Sequence, residues 1–264
     1  MLEIKEVHKT FNPGTVNEKK ALKGIDLKLE EGDFVTVIGG NGAGKSTMLN
    51  AIAGVWNVDS GSILIDNMDI TNLAEHKRAK YIGRVFQDPM TGTAATMNIE
   101  ENLALAKRRG KSRTLRPGIT KQERNEYYEL LKTLDLGLEN RMTSKVGLLS
   151  GGQRQALTLL MASLQKPKIL LLDEHTAALD PKTASKVLET TEAIVNKDHL
   201  TTLMITHNMK DAIAHGNRLI MMNEGKIILD IKGEEKKSLT VEHLLHMFEK
   251  VSGEEFASDK AILG

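Results

Sequence analysis

A glycine-rich octapeptide between a strand-like run and a helix-like run constrains the fold of this chain more than any other feature. It reads Gly-Gly-Asn-Gly-Ala-Gly-Lys-Ser at residues 39–46 and fits the pattern G-x-x-x-x-G-K-[ST]. The apolar residues Phe34–Ile38 predict a buried strand before it, and a helix is predicted to begin at about Lys45. Because glycines let the backbone wrap tightly, successive N–H groups can point at phosphate oxygens. The sequence therefore predicts a phosphate-binding loop rather than a plain glycine-rich turn.

Each residue type in this loop suits phosphate chemistry. Lys45 supplies a cation for the β- and γ-phosphates of a nucleotide, and Ser46 supplies a hydroxyl ligand for Mg²⁺. The dipole of the helix that starts there also favours an anion. The residues that we expect to bind the nucleotide at this loop are Gly39, Gly40, Asn41, Gly42, Ala43, Gly44, Lys45, Ser46 and Thr47.

The composition limits the classes of function. A chain of 264 residues can bury a large core, and the lack of cysteine excludes disulfides and thiolate metal sites. A net charge of +1 gives no reason to expect nucleic acid as a partner. No basic segment followed by an apolar one opens the chain, and no apolar stretch reaches about 18 residues. We therefore expect a soluble chain that is not exported and that meets a membrane only through a protein partner.

Hydrophobic patterning predicts two parts before the middle of the chain. Ile25, Leu27 and Leu29 alternate with polar residues, which is typical of half-buried strands in a small antiparallel β-layer. From about residue 90 to residue 165 the pattern becomes helical and predicts a second lobe. The helices predicted in this lobe are Ile99–Arg108, Lys121–Leu134 and Gly151–Gln165.

The second half predicts a parallel sheet and a C-terminal helix. The apolar runs Ile169–Leu172 and Thr202–Ile205 are separated by a helix-like segment, Pro181–Asn196, which is the rhythm of βαβ units. After a hairpin predicted at residues 218–229, Thr240 is a candidate N-cap. The helix predicted behind it is supported by the spacing of Leu244, Phe248 and Val251.

Two acidic residues follow the predicted strand Ile169–Leu172. An aspartate at the carboxyl end of a buried parallel strand, beside a phosphate-binding loop, can hold Mg²⁺ directly or through water, so Asp173 is a candidate metal ligand. Glu174 then faces the γ-phosphate, where a carboxylate can orient or deprotonate the attacking water. Without such a loop beside it, an Asp-Glu pair is as easily a solvated strand end.

A second anion-binding helix terminus is predicted at the pentapeptide Leu-Ser-Gly-Gly-Gln, residues 149–153. Ser150 can cap the helix that follows, and the N–H groups of Gly151 and Gly152 together with the helix dipole can bind an anion. Gln153 completes the pentapeptide. Two phosphate-binding helix ends in one chain require an explanation.

Three motifs in this order make the chain similar to the nucleotide-binding subunit of ATP-binding-cassette (ABC) transporters. They are the loop at 39–46, the pentapeptide at 149–153 and the run Ile-Leu-Leu-Leu-Asp-Glu at 169–174. The resemblance implies an α/β fold with a P-loop NTPase core, a mainly parallel sheet, an N-terminal antiparallel β-layer and an inserted helical lobe. The domains that it implies are an ABC ATPase domain at 1–230 with the helical lobe at about 90–165, and a C-terminal helical extension at 231–264.

The resemblance also assigns roles to four single residues. Gln87 matches the glutamine that contacts Mg²⁺ or water and joins the two lobes, and His207 matches the histidine that binds the γ-phosphate and holds the glutamate and water. Asp180 matches an interface aspartate, although Asp-Pro is also typical of an N-cap followed by proline at N1. Phe11 matches the aromatic residue that stacks on adenine; its alternative is a core residue of the β-layer.

Two positions depart from the family pattern and one segment is rich in charge. Gly40 stands where proline or serine is frequent, and it makes the loop more permissive. His175 stands where proline is usual, and it places a titratable group near Glu174 that could alter the pKa of that carboxyl. Residues 107–124 hold eight Lys or Arg and one acid, Glu123, which favours a solvated loop or a rim that meets a partner.

The resemblance implies an ATP-hydrolysing subunit of a bacterial membrane transporter, most similar to importers of branched-chain or aromatic amino acids. Its expected cofactors are ATP and Mg²⁺. Its expected partners are a second copy that sandwiches the nucleotide head to tail, integral membrane permease subunits and, indirectly, a substrate-binding protein, at the cytoplasmic face of the cell membrane. The alternatives are the ATPase of a lipoprotein or drug exporter and a soluble iron–sulfur assembly scaffold, for which this chain has no cysteine thiolate.

Overall fold

Two β-sheets and nine α-helices make up the part of the chain that the computed structural model describes, residues 1–111 and 118–252. The strands are β1 (Leu2–Phe11), β2 (Lys19–Leu29), β3 (Phe34–Ile38), β4 (Ser60–Ile65), β5 (Met68–Asp69), β6 (Ile82–Val85), β7 (Ile169–Asp173), β8 (Thr202–Ile205), β9 (Arg218–Asn223) and β10 (Lys226–Lys232). The helices are α1 (Lys45–Ala53), α2 (Glu75–Arg78), α3 (Ile99–Lys107), α4 (Lys121–Lys132), α5 (Gly151–Ser163), α6 (Pro181–Asp198), α7 (Met209–Ala214), α8 (Glu234–Lys237) and α9 (Val241–Ser252).

The main sheet has six strands in the order β10-β9-β3-β8-β7-β6, and all neighbours except β9 and β10 pair in parallel. The strands predicted at Phe34–Ile38, Ile169–Leu172 and Thr202–Ile205 are confirmed as β3, β7 and β8, all with buried residues. Because β8 lies between β3 and β7, the carboxyl ends of these three strands meet at one edge of the sheet. The chain segments that follow them therefore lie close together.

The second sheet is the predicted antiparallel β-layer, with the strand order β2-β1-β4-β5. Ile25, Leu27 and Leu29 are buried as the alternation predicts, and the polar residues between them are exposed. Helix α1 shares one hydrophobic core with both sheets, through Leu49 and Ile52. The helix that begins at the phosphate-binding loop is thus held by apolar contacts on both sides.

The helical lobe has a core of its own. It is built by α3, α4 and α5 with two short 3₁₀ turns, Leu138–Arg141 and Val146–Leu148, and its centre is Leu103, Tyr127 and Leu157. The three predicted helices are confirmed, each ending one or two residues earlier than the sequence suggests. Helix α5 stops before Lys166, which has a positive φ of 45° and precedes a proline.

The C-terminal part packs on the main sheet. The predicted hairpin is confirmed as β9 and β10, and Thr240 caps α9 because its hydroxyl accepts a hydrogen bond from the N–H of His243 at 3.1 Å. Leu244 and Phe248 are buried in a core shared with Ile38, while the side chain of Val251 lies outside the described residues. Strand β10 runs to Lys232, across the predicted boundary at residue 230, and that division stays a prediction. Within residues 1–111 and 118–252, no helix combines the length and the apolar character needed to cross a membrane.

Candidate functional site

A pocket of about 210 Å³ opens where β3, β7 and β8 end. It brings together the phosphate-binding loop, two residues predicted to be catalytic and the predicted adenine-stacking aromatic. Its lining consists of Phe11, Lys19, Ala21, Asn41, Gly42, Ala43, Gly44, Lys45, Ser46, Thr47, Glu174 and His207.

Glycine is required at two positions of the loop because the backbone passes close to neighbouring strands. Gly39 has a φ of 147°, and a Cβ there would overlap the carbonyl oxygen of Met222. Gly44 has a φ of 103°, and a Cβ would lie 2.7 Å from the carbonyl oxygen of Ala21. Gly40 is different, since a Cβ there would meet no described atom within 4 Å. The departure at Gly40 therefore leaves the shape of the cradle unchanged.

Lys45 places a buried ammonium group inside this cradle. Its Nζ donates hydrogen bonds to the carbonyl oxygens of Gly39 at 2.6 Å and Gly40 at 3.2 Å. Burial lowers the pKa of Lys45, while the nearby carboxylates of Glu174 and Asp173 raise it. A cation aimed into a ring of backbone at a helix N-terminus fits a phosphate group, which can take the place of the two carbonyls.

Glu174 and His207 form a contact pair in the same pocket. The Oε1 atom of Glu174 lies 2.6 Å from the Nε2 atom of His207, and the two side chains are 11% and 38% exposed. The hydrogen bond from His207 lowers the pKa of Glu174, burial opposes this, and Lys45 adds to the lowering. Glu174 is therefore an ionised acceptor at neutral pH. Its φ of 47° is one of the few positive values at non-glycine residues, and it turns the chain sharply after β7.

Asp173 ends β7 beside an arginine that the sequence analysis missed. The Oδ2 atom of Asp173 lies 3.6 Å from the Nη2 atom of Arg84, on the neighbouring strand β6. Burial raises the pKa of Asp173, whereas Arg84 lowers it. The signal for Arg84 was its position: a cation inside the short apolar strand Ile-Gly-Arg-Val has no place in an ordinary core.

The oxygen atoms of Ser46 and Asp173 suit Mg²⁺. Mg²⁺ is usually held by one or two protein oxygens together with phosphate oxygens and water, rather than by a complete protein cage. Across the described ranges, no three His, Cys, Asp or Glu residues are grouped as a metal site. An exposed hydroxyl on the loop and one carboxylate at the strand end therefore fit a metal that arrives with a nucleotide.

Gln87 lies at the junction of the two lobes but outside the pocket lining. It is exposed and follows the end of β6 by two residues. The preceding residue joins the lobes, because the side-chain amide of Gln155 on α5 donates to the carbonyl oxygen of Phe86 at 3.1 Å. The structure thus places Gln87 where the two lobes join, as predicted, but not in the lining of the pocket.

The pentapeptide caps α5 and faces outward. Ser150 is the N-cap: its Oγ accepts from the N–H of Gln153 at 3.3 Å, and the side chain of Gln153 accepts from the N–H of Ser150 at 3.2 Å. Ser150 and Gly151 are exposed, and none of the residues 149–153 lines the pocket. The structure does not bring the two predicted phosphate-binding helix ends together within one chain.

Two further contacts hold the pentapeptide in place. A Cβ at Gly152 would overlap the methyl group of Thr183, so only glycine lets the start of α5 approach the start of α6. There Asp180 is the N-cap of α6, with its Oδ1 accepting from the N–H of Thr183 at 3.1 Å and proline at N1. Arg154, which the sequence analysis missed, is 8% exposed and donates to the carbonyl oxygens of residues 146, 147 and 149.

Phe11 lies at the rim of the pocket rather than in the core of the β-layer. It is half-buried, and its ring meets the ring of Trp56 edge to face with centroids 4.8 Å apart. Trp56 follows α1 and was also missed by the sequence analysis. The Phe11 ring is thus held by an aromatic neighbour from the segment that follows α1.

The expectation that His175 acts on Glu174 is wrong. His175 is 2% exposed and points into the core, where its Nε2 lies 3.0 Å from the hydroxyl of Thr191 on α6. Burial lowers the pKa of His175 to about 4, so the ring is neutral at physiological pH. The groups that shift the pKa of Glu174 are His207, its own burial and Lys45.

The basic segment is not simply solvated where the structure describes it. Arg108 pairs with Glu123 at 3.0 Å, and Arg124 pairs with Glu100 at 2.7 Å. The guanidinium of Arg109 is buried and donates to the carbonyl oxygen of Ala162 at 3.0 Å, and burial lowers its pKa. The residues 112–117 of this segment lie outside the described residues. Its described part is largely an internal ion-pair network of the helical lobe.

The fold and this site are those of a nucleotide-binding subunit, and comparison identifies the family. The chain matches the family model described as ABC transporter over residues 22–177, so it belongs to that family. It is 31% identical to a dimeric ATP-binding cassette in a post-hydrolysis state bound to ADP and Pi, covering 88% of this chain and 98% of that one with a TM-score of 0.75.

Particular relatives are transport ATP-binding proteins. The chain is 48% identical to the tyrosine transport ATP-binding protein of Clostridioides difficile, over 94% of this chain and 99% of the relative. It is 33% identical to the methionine import ATP-binding protein MetN of Bartonella henselae, over 86% and 64% of the two chains. The chain is thus an ATP-binding ATPase subunit of a transporter, a class that dimerises and associates peripherally with membrane permeases.

Neutral, buried His175 makes the stability of the protein depend on pH. Its pKa is about 4 when folded and about 6.5 when unfolded, so below pH 6.5 the unfolded chain binds the extra proton. Above pH 6.5 the ring is neutral in both states and adds no pH dependence, and the free energy of unfolding decreases as the pH falls from 6.5 towards 4. The wild type loses free energy of unfolding between pH 7 and pH 4. We expect His175→Gln, measured by urea unfolding, to reduce this loss by up to about 3 kcal/mol.

The exposed His76 on α2 is the matched control for this measurement. His76→Gln should lose stability with falling pH as the wild type does. A His175→Gln variant whose free energy of unfolding falls as steeply as that of the wild type would show that His175 does not control it.

Proposed function

We propose that the chain is the energy-coupling ATPase of an amino acid importer, with a hydrolytic site built on Lys45, Glu174 and His207. The observation that carries this proposal is the 2.6 Å contact between Glu174 and His207 in the same pocket as the phosphate-binding loop. Because Glu174 is held ionised by its neighbours, the pocket has a charged acceptor ready for water.

The nucleotide would enter this pocket with its base at Phe11 and its phosphates in the loop. The residues 39–47 supply N–H groups, and Lys45 would exchange its two carbonyl partners for the β- and γ-phosphate oxygens. Ser46, Asp173 and, in the closed state, Gln87 would hold Mg²⁺. When bound, this ion neutralises charge that develops on the phosphate oxygens.

Hydrolysis would depend on the Glu174 carboxylate. Glu174 accepts a hydrogen bond from the attacking water and takes its proton as the oxygen bonds to the γ-phosphorus and the bond to ADP breaks. The lowered pKa keeps the Glu174 carboxylate ionised, so it can accept both the hydrogen bond and the proton of the water. His207 holds the carboxylate at 2.6 Å and can donate to the γ-phosphate.

A second copy of the chain would complete the site. Ser150, Gly151, Gly152 and Gln153 form a helix N-terminus, exposed at Ser150 and Gly151, that can bind the γ-phosphate of the partner's nucleotide. Asp180 caps α6 directly beside this terminus and would lie at the same interface. ATP would then join the two copies, and loss of the γ-phosphate would release them.

The permease would dock in a groove of about 1230 Å³ between the edge strand β6 and the helices α3 and α5. Gly92, Met97, Leu105 and Met161 line it, and Leu105 is 48% exposed. A short cytoplasmic helix of the permease fits such a surface. In this proposal the chain would act at the cytoplasmic face of the membrane, where the permease would join it indirectly to a substrate-binding protein.

Aromatic amino acids are the proposed cargo class. The support is the 48% identity, over nearly the whole of both chains, to a relative named for tyrosine transport. A nucleotide-binding subunit makes no contact with cargo, so the pocket itself carries no information on it. Residues 1–230 would form the ATPase domain and residues 231–264 the C-terminal extension.

Glu174→Gln should separate binding from hydrolysis. The amide keeps the shape of the side chain but cannot accept a proton, so ATP turnover should fall by roughly 10²–10⁴-fold while ATP still binds. Turnover is measured as phosphate release with Mg²⁺ present. In proteoliposomes that contain the permease, the same variant should bind ATP without tyrosine uptake.

Glu242→Gln, at an exposed position on α9, is the control and should hydrolyse ATP at the wild-type rate. Unchanged phosphate release in Glu174→Gln would remove Glu174 from the catalytic role. ATP-driven tyrosine transport away from the ATPase side of the membrane would contradict import.

Phe11→Ala should weaken ATP binding by removing a stacking face. Stacking on a base contributes about 1–3 kcal/mol and tolerates any purine, so ATP and GTP should be affected alike. Phe11→Tyr keeps the aromatic face and should retain affinity. Trp56, the single tryptophan of the chain, touches Phe11 and provides the fluorescence signal for both titrations. Equal affinities in the Ala and Tyr variants would exclude stacking at Phe11.

A further inference from the structure

Arg84 breaks the apolar pattern of the sheet face on which it lies. In the parallel pairing of β6 and β7, Arg84 stands opposite Leu171, so Asp173, two residues later, lies on the same face. That face packs against α1 through Ile82, Leu171 and other apolar side chains. An arginine at this place requires a reason other than packing, because burying a charge costs free energy unless the charge is paired.

Arg84 contacts both α1, the helix that begins at the phosphate-binding loop, and Asp173, the residue before Glu174 of the pocket lining. Its Nη2 donates to the side-chain oxygen of Asn50 at 2.7 Å and lies 3.6 Å from the Oδ2 of Asp173. Its guanidinium also covers the ring of Phe86 at 4.5 Å. The side chain is 13% exposed, and within the described ranges its Nε has no hydrogen-bond partner. Arg84 is thus incompletely paired, which is costly for a residue that serves stability alone.

Asn50 links Arg84 to the helix that carries Ser46. It lies four residues after Ser46 on α1, one helical turn along the same helix. Arg84 therefore links the helix that presents Ser46 to the strand end that presents Asp173. These two residues supply the oxygen atoms that suit Mg²⁺.

We propose that Arg84, anchored by Asn50, is a positioning residue that aims the Asp173 carboxylate at the Mg²⁺ of the bound nucleotide. The inference rests on the proposed metal role of Asp173. Partners behind metal ligands orient those ligands, and their loss weakens metal affinity by about 10–100-fold. Arg84 needs no contact with the nucleotide, so its effect should appear only when the metal is present.

The test measures ATP affinity as a function of Mg²⁺ concentration, in chains that carry Glu174→Gln so that ATP is not consumed. Arg84→Gln should raise the Mg²⁺ concentration for half-maximal enhancement of ATP binding by about 10–100-fold. Asn50→Ala should shift it in the same direction by less, since the cation remains. ATP affinity measured in EDTA should be unchanged in both variants.

Two further variants keep the test decisive. Arg109→Gln is the matched control: Arg109 is another half-buried arginine and, like Arg84, it lines the groove between β6, α3 and α5, but it donates to the carbonyl oxygen of Ala162. It should keep the wild-type Mg²⁺ dependence. Arg84→Lys keeps the charge without the planar fork and should give an intermediate shift, which allows the test to proceed where Arg84→Gln does not fold.

Asp173→Asn, in the same assay, separates the two levels of the proposal. An unchanged Mg²⁺ dependence in Asp173→Asn would overturn the metal role of Asp173 and the inference with it. A shift in Asp173→Asn without a shift in Arg84→Gln and Arg84→Lys would overturn the inference alone. An equal loss of ATP affinity in Mg²⁺ and in EDTA would also overturn it, because Arg84 would then support only the general structure of the pocket.

Discussion

A buried positive charge that needs negative partners organises this molecule. The Lys45 ammonium lies in a cradle of backbone, where two carbonyl oxygens accept its hydrogen bonds and burial lowers its pKa. Asp173 and Glu174 oppose that lowering, because three neighbouring strands end at the same edge of the sheet. The close passage of Gly39 against β9 shapes the cradle, and α1 is fixed between two sheets behind it. A phosphate group satisfies this charge better than the carbonyls do.

The second predicted phosphate-binding helix end, at Ser150, lies outside the pocket that contains this charge. Ser150 and Gly151 are exposed at the start of α5, which is held by Arg154 on one side and by the start of α6 against Gly152 on the other. A helix N-terminus of this kind can bind an anion. A nucleotide in the pocket of the same chain would not contact it, because residues 149–153 do not line that pocket. In the proposed dimer, a nucleotide held by Lys45 of another copy would supply that anion. ATP would therefore bridge the two chains, and its hydrolysis would let them separate.

The features that the sequence predicts well depend on local rules. The strand, loop and helix around Lys45, the cap at Ser150 and the cap at Asp180 all follow from short patterns whose physics is local. The features that it predicts poorly depend on tertiary contacts. His175 is adjacent to Glu174 in sequence, but the sharp turn at Glu174 sends its ring into the core. Arg84 and Trp56 gain their partners only when distant strands and helices pack, so no spacing rule could identify those partners.

The claim that one active site takes residues from two chains is tested most directly by disulfide crosslinking, since the chain has no cysteine of its own. One chain carries Asn41→Cys and a differently tagged chain carries Ser150→Cys, both with Glu174→Gln so that ATP persists. We predict a disulfide crosslink between the two differently tagged chains that forms with ATP and Mg²⁺ and is absent with ADP. A crosslink that forms inside monomers of a chain carrying both cysteines, or that forms equally without nucleotide, would contradict the account.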